Sequence, residues 1–154
     1  MGQHELKHKW CFLLEGLIGY EILDRHGKMQ LERLGTVNQY FVGTKHAYSS
    51  NAAAVAVRFL QDSSAYTISN VYLQTGIRHY PELSQVYHIL KQHSLDALHI
   101  FIRISKLDRI ARLAYLYQQL PHVAGQLTVR QICSLLGYTN TKQYYQALEY
   151  YYNR

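Results

Sequence analysis

At 154 residues, with 48% apolar and 17% charged side chains, the chain has the composition of a folded protein, with one ordinary core or two small modules sharing a connecting element. No apolar run is long enough to span a bilayer, and the basic start MGQHELKHKW is followed by no small-residue cleavage pattern. The chain therefore reads as cytoplasmic, with no membrane partner. The net charge is +6, and residues 81–154 hold eight Lys/Arg against four Asp/Glu where residues 1–80 hold eight against six. Such an excess suits a polyanion, although it is also common in proteins that bind none. Cys11 and Cys133 lie far apart in apolar surroundings, which excludes a disulfide framework or thiolate metal cluster and predicts buried thiols. Five of the fifteen tyrosines (Tyr144, Tyr145, Tyr150, Tyr151 and Tyr152) crowd the last predicted helix, giving it faces suited to a core or an interface.

In chain order, Trp10–Ile22 mixes apolar runs with Gly16 and Gly19, which predicts strands broken at tight bends. Asp24-Arg25-His26-Gly27-Lys28 predicts a hairpin loop with a glycine at positive φ. The return strand, Met29–Leu34, alternates, with Met29, Leu31 and Arg33 on one face and Gln30, Glu32 and Leu34 on the other; Gly35 ends it. Tyr40-Phe41-Val42-Gly43, a polar loop from Thr44 to Asn51, a strand over Ala54–Leu60, a turn at Asp62-Ser63-Ser64 and a strand over Ala65–Ile68 follow. Ser69 is placed to cap a short helix running to His79, and Pro81 opens the next helix at a first-turn position.

That next helix is the organising element. Leu83, Val86, Leu90, His93, Ala97, Ile100 and Ile104 recur at steps of three and four on one seam, and Leu95, Leu98 and Ile102 make a second stripe. A helix with two apolar stripes can bury one against its own chain and the other against a second copy, so the seam predicts a homodimer. Near Ser105 the pattern changes: Leu107, Ile110, Ala111, Ala114 and Tyr117 form a separate amphipathic stretch that Pro121 closes. From Gln126 onward two helices flank Leu136-Gly137-Tyr138-Thr139. Val129, Ile132, Leu135 and Leu136 face inward from the first, and Tyr144, Ala147, Leu148 and Tyr151 from the second. Thr141, Lys142, Gln143 and Gln146 are thereby turned to solvent.

Two readings of this terminal pair stay open: a helix-turn-helix, favoured by apolar spacing and a glycine turn together, and a plain α-hairpin packed on the body. His4 and His8 have the i, i+4 spacing of a metal pair without a third ligand nearby, so no metal is assigned. His93 reads as a hydrogen-bonded interface residue or a pH switch. No nucleophile-base-acid grouping, glycine-rich phosphate loop or carboxylate pair stands out, so the chain does not read as an enzyme.

The order of these motifs, including FLLEGLIGYEILDRHGK, the FVG segment, Tyr80-Pro81-Glu82-Leu83 and QLTVRQICSLLGYTN, resembles the cyclic-AMP receptor protein/Fnr (Crp/Fnr) superfamily of transcription regulators, most closely the Crp-type proteins of Bacteroidetes. The resemblance runs from about Trp10 to Tyr150. It implies an α+β fold: a double-stranded cyclic-nucleotide-binding-like β-roll with a short helix over residues 1–80, a dimerisation helix over 81–105 and a helix-turn-helix domain over 106–154. It also implies that the roll lacks its opening strands and that no β-hairpin wing follows Arg154.

In nucleotide-binding members a glutamate and an arginine hold the ribose and cyclic phosphate. The corresponding pocket here is Phe41, Val42, Gly43, Thr44, Ala53 and Ala54, with Thr44 and Ala53 or Ala54 at the polar positions. Without the guanidinium a buried phosphate lacks its bidentate partner, so cyclic AMP is not expected, no cofactor is assigned and any small-molecule effector is unidentified. Two cysteines also fall short of the four thiolates of an iron-sulfur cluster.

Double-stranded DNA is the implied partner. Thr128 and Arg130 are expected on phosphates, with Asn140, Thr141, Lys142, Gln143 and Gln146 at the reading end of the second helix, although the family's arginine pair is absent there. The alternative is a degenerate relative serving as a protein-interaction or structural dimer through its tyrosine-rich last helix.

Overall fold

The computed structural model describes residues 8–42 and 55–153; His4, Gly43, Thr44, Ala53 and Ala54 lie outside the described residues. Among those described, strands come first and helices last: β1 (Lys9–Glu15), β2 (Ile18–Leu23), β3 (Met29–Gly35), β4 (Tyr40–Val42), β5 (Ala56–Phe59), β6 (Ser64–Ser69), α1 (Asn70–His79), α2 (Pro81–Lys106), a 3₁₀ turn (Arg109–Ala111), α3 (Arg112–Gln119), α4 (Pro121–Ala124), α5 (Val129–Leu136) and α6 (Thr141–Tyr152). The strands form two antiparallel three-stranded sheets, ordered β4-β1-β6 and β3-β2-β5.

Gly16, at φ +95°, makes the bend that carries the chain from one sheet to the other, and a Cβ there would collide with the Ser63 side chain and the Asp62 carbonyl. Gly19, expected at a second bend, instead lies within β2, because a Cβ at that point would run into the Leu31 side chain. Between the sheets Cys11, Leu13, Ile18, Tyr20 and Phe41 form a closed core. Both cysteines are free and buried, and burial pushes the Cys11 thiol up to about 11.

The strict alternation expected for β3 fails at one point. Tyr20 pairs with Arg33 but Glu21 pairs with Leu31, so Glu32 is the extra residue of a β-bulge. The slip reverses the faces across it, and Leu31 and Leu34, predicted on opposite faces, both enter a second core with Leu17, Phe101, Ile104, Leu113 and Leu116. Arg33 is turned over the Tyr20 ring, 3.7 Å from its centroid.

Ser69 caps α1 as predicted, accepting from the Tyr72 N–H at 3.3 Å, and Pro81 sits in the first turn of α2. With 26 residues α2 is about 39 Å long. The expected seam divides on it: Ile104 is buried in the chain's own second core, Ile100 packs against that core, and a Cβ on Gly76 would touch Leu83. Of the rest of the seam, Val86 is exposed at 51%, His93 is exposed, and Leu90 and Ala97 are half-buried; Ile89, which the seam did not include, is exposed at 54% beside Val86. The inward face is carried by Tyr87 and Phe101, which the seam did not include. Pro121, expected to end a helix, also begins one: α3 stops at Gln119, and Pro121 is the first residue of α4, where its missing N–H costs nothing.

Candidate nucleic-acid interface

The two terminal helices owe their geometry to local chemistry. Thr128 closes a capping box: its hydroxyl accepts from the Gln131 N–H at 3.3 Å while Gln131 Oε1 accepts from the Thr128 N–H at 2.8 Å. At the other end of α5 the Tyr138 N–H reaches back to the Cys133 carbonyl at 2.9 Å around Gly137, at φ +70°, a Schellman ending that needs the left-handed residue. Asn140 then caps α6 through Oδ1, 3.1 Å from the Gln143 N–H, and Gln143 Oε1 accepts from the Thr139 N–H at 3.0 Å. Ile132, Leu135, Leu136, Tyr144 and Ala147 are buried together, and Val129 and Leu148 pack against them.

Packing these faces inward leaves Thr141, Lys142 and Gln146 exposed along the start of α6, with Gln143 half-buried beside them, and Thr128 and Arg130 exposed at the start of α5. The seven residues expected at DNA thus lie at the N-terminal ends of two adjacent helices. They differ in freedom. Asn140 and Gln143 use side-chain oxygens to hold the helix start, whereas Thr141, Lys142 and Gln146 carry no such capping bond.

A cleft of about 1050 Å³ lies between this surface and the strands. Thr128, Arg130, Asn140 and Thr141 line one wall; Asp24, Lys28, Met29, Gln30 and Arg58 line the other. At its floor the Leu31 N–H donates to Ser134 Oγ at 2.9 Å and Gln30 Nε2 donates to the Ser134 carbonyl at 3.4 Å. β3 is an edge strand, so a helix side chain supplies an acceptor for its outward backbone and covers part of the edge.

Sequence reasoning missed Ser134, and it also missed Arg112. The Arg112 guanidinium donates to the Ser105, Leu107 and Leu136 carbonyls at 3.3, 3.0 and 2.8 Å, tying the end of α2 to the end of α5. Tyr138 Oη donates to the Arg109 carbonyl at 3.0 Å, and burial pushes its hydroxyl up to about 12. No one-dimensional pattern marks Ser134 or Arg112, since their partners are backbone groups brought from elsewhere in the chain: a strand N–H for Ser134 and helix-end carbonyls for Arg112.

On the roll, Phe41 is 1% exposed, edge-on to Phe59 in the core between the sheets, and Val42 pairs with Trp10. Arg58, a cation near the expected effector segment in sequence, is held by Glu21 at 3.3 Å and faces the cleft toward α5. Among the described residues no group of three His, Cys, Asp or Glu side chains is placed to hold a metal, and no helix is long and apolar enough to cross a membrane.

A paired-sheet roll, a long helix and a terminal pair of capped helices follow one another in an α+β architecture. No protein-family model and no curated protein matches the sequence. Solved structures match the fold. FixK2 from Bradyrhizobium japonicum superposes with a TM-score of 0.74 at 16% identity, covering 95% of this chain and 75% of its own. CLP, a c-di-GMP-responsive global regulator of Xanthomonas campestris, gives 0.69 at 13% identity over 95% and 78%. A CRP-family transcriptional regulator from Thermus thermophilus gives 0.67 at 14% identity over 95% and 76%. The fold is therefore that of the Crp/Fnr regulators, and the chain spans about three quarters of the length of these neighbours.

Proposed function

We propose that the chain is a DNA-binding regulator of the Crp/Fnr type that acts as a homodimer and whose roll does not take cyclic AMP. The observation that carries the reading is the start of α6: two capped helices meet at a left-handed glycine, bury Tyr144 and Ala147, and leave Thr141, Lys142 and Gln146 outward, where such motifs meet base edges. Residues 1–80 form the effector-domain module in this reading, 81–105 the dimerisation helix and 106–154 the reader. Val86 and His93 are the exposed part of the seam, and with Ile89, an exposed apolar residue beside it, they form the surface that a second copy would cover. The expectation about cyclic AMP rests on Thr44 and Ala53 or Ala54 standing where a glutamate and an arginine bind the nucleotide in the family.

Selection from a pool of random duplexes tests the DNA reading. Enrichment of a sequence with two-fold symmetry is the expected result, and Gln146→Ala should alter the preferred bases, at a cost of about 1–3 kcal/mol where the contact is bidentate. If nothing is enriched and residual binding vanishes at physiological salt, the protein-interaction dimer takes its place. Calorimetry with cyclic AMP should give no saturable heat; micromolar binding overturns the effector assignment.

A further inference from the structure

The terminal helices alone are poor in charge for a protein that holds DNA. Between Thr128 and Asn153 there are two cations, Arg130 and Lys142, against one anion, Glu149. A protein that makes about six to ten phosphate contacts draws on more charge than this. Two cations per protomer leave even a dimer short of that number, so further cations on the same face would strengthen its hold on a duplex.

The opposite wall of the cleft supplies Lys28, and the hairpin loop that it belongs to also carries Arg25. The β2–β3 tip presents Arg25 and Lys28, both exposed, and Lys28 lines the cleft that Thr128 and Arg130 line from the other side. Neither Arg25 nor Lys28 is in an ion pair among the described residues. The acids beside them are already engaged: Glu21 holds Arg58, and Asp24 Oδ1 accepts the His26 and Lys28 N–H groups at 2.8 Å each. Those bonds, with Gly27 at φ +73°, fix the shape of the tip, and the same hydrogen bonds hold the Asp24 carboxyl below its ordinary range. Ser134 then joins β3 to α5, so the tip is carried on the same support as the helix-turn-helix.

We infer that the β2–β3 tip is a second DNA-contacting element, in which Arg25 and Lys28 bind backbone phosphates flanking the segment read by α6. The inference rests on the DNA-binding reading above and adds a partner surface outside the helix-turn-helix. Its contacts are to phosphates, so they add affinity and salt dependence without base preference.

The test is fluorescence anisotropy of the full chain with a labelled random-sequence duplex, titrated across salt from about 50 to 200 mM. The Arg25→Ser/Lys28→Ser double variant should bind more weakly at low salt, with a log–log salt slope shallower by about 2 per protomer bound. Arg78→Ser, which removes an exposed cation from α1, should leave the slope unchanged, and thermal melts of the double variant and the wild type should stay close because Arg25 and Lys28 are both exposed. A wild-type slope in the double variant overturns the inference while leaving the helix-turn-helix reading intact. Tighter binding by the double variant also overturns it, making the tip an obstacle. Failure of the wild type to bind any duplex removes both.

Discussion

Replacing Arg112 offers the sharpest check on how the terminal helices are held. Its guanidinium serves three carbonyls from three points of the chain, two at the end of α2 and one at the end of α5. Helix-end carbonyls have no partner within their own helix, so each depends on a donor from outside or on water. A hydrogen bond to a charged group contributes about 1.5–3 kcal/mol. Arg112 is half-buried, and water replaces part of what is lost, so Arg112→Ala should cost about 2–4 kcal/mol rather than the full sum. Arg112→Lys should recover only a minor part, since one ammonium on a flexible stem cannot span three carbonyls held at fixed angles. Urea denaturation of the full chain measures both, at matched protein concentration because dimerisation would raise apparent stability. If the lysine variant unfolds at the wild-type midpoint, the fork geometry is irrelevant. If alanine costs less than about 0.5 kcal/mol, the clamp is not what holds α5 to α2.

Gly137→Ala should destabilise by about 1 kcal/mol or more, because φ is +70° and the added Cβ would lie 3.3 Å from Arg112 Nη1; the same denaturation series reads it. Ile89→Asp places a charge on the exposed stripe of α2 and should convert a dimer to a folded monomer in sedimentation, whereas Ile100→Asp, set against the chain's own core, should also lower the melting temperature. A wild-type chain that sediments as a monomer at micromolar concentration refutes the dimer. Tyr20 and Tyr138 have hydroxyls pushed from 10.0 to about 12 by burial, so the folded chain keeps protons that the unfolded chain releases. Their stabilising effect is full below pH 10 and is lost as pH rises toward 12, so stability measured against pH should fall across that window; a flat profile contradicts the burial of these groups.

Much of the architecture is local and therefore legible in the amino-acid order. Ser69 caps a helix as expected; Thr128 and Asn140, expected only at DNA, cap helices by the same local rule, a short side-chain oxygen reaching an N–H three residues on, and Asp24 likewise shapes the expected hairpin. The inward faces of α5 and α6 follow from a 3.6-residue period that needs no knowledge of the partner surface. What the sequence could not decide depends on which distant segment arrives at a given face. An apolar stripe on α2 has the same period whether its neighbour is β3 or another copy, so only the tertiary structure assigns Ile104 to the chain's own core and leaves Val86 outside. One extra residue, Glu32, reverses the faces of β3, and a bulge is specified by the strand it pairs with rather than by the strand that carries it. Arg112 and Ser134 escape any sequence pattern because their partners are backbone groups brought close by packing, and the cleft that sets Lys28 opposite Arg130 exists only once that packing is complete.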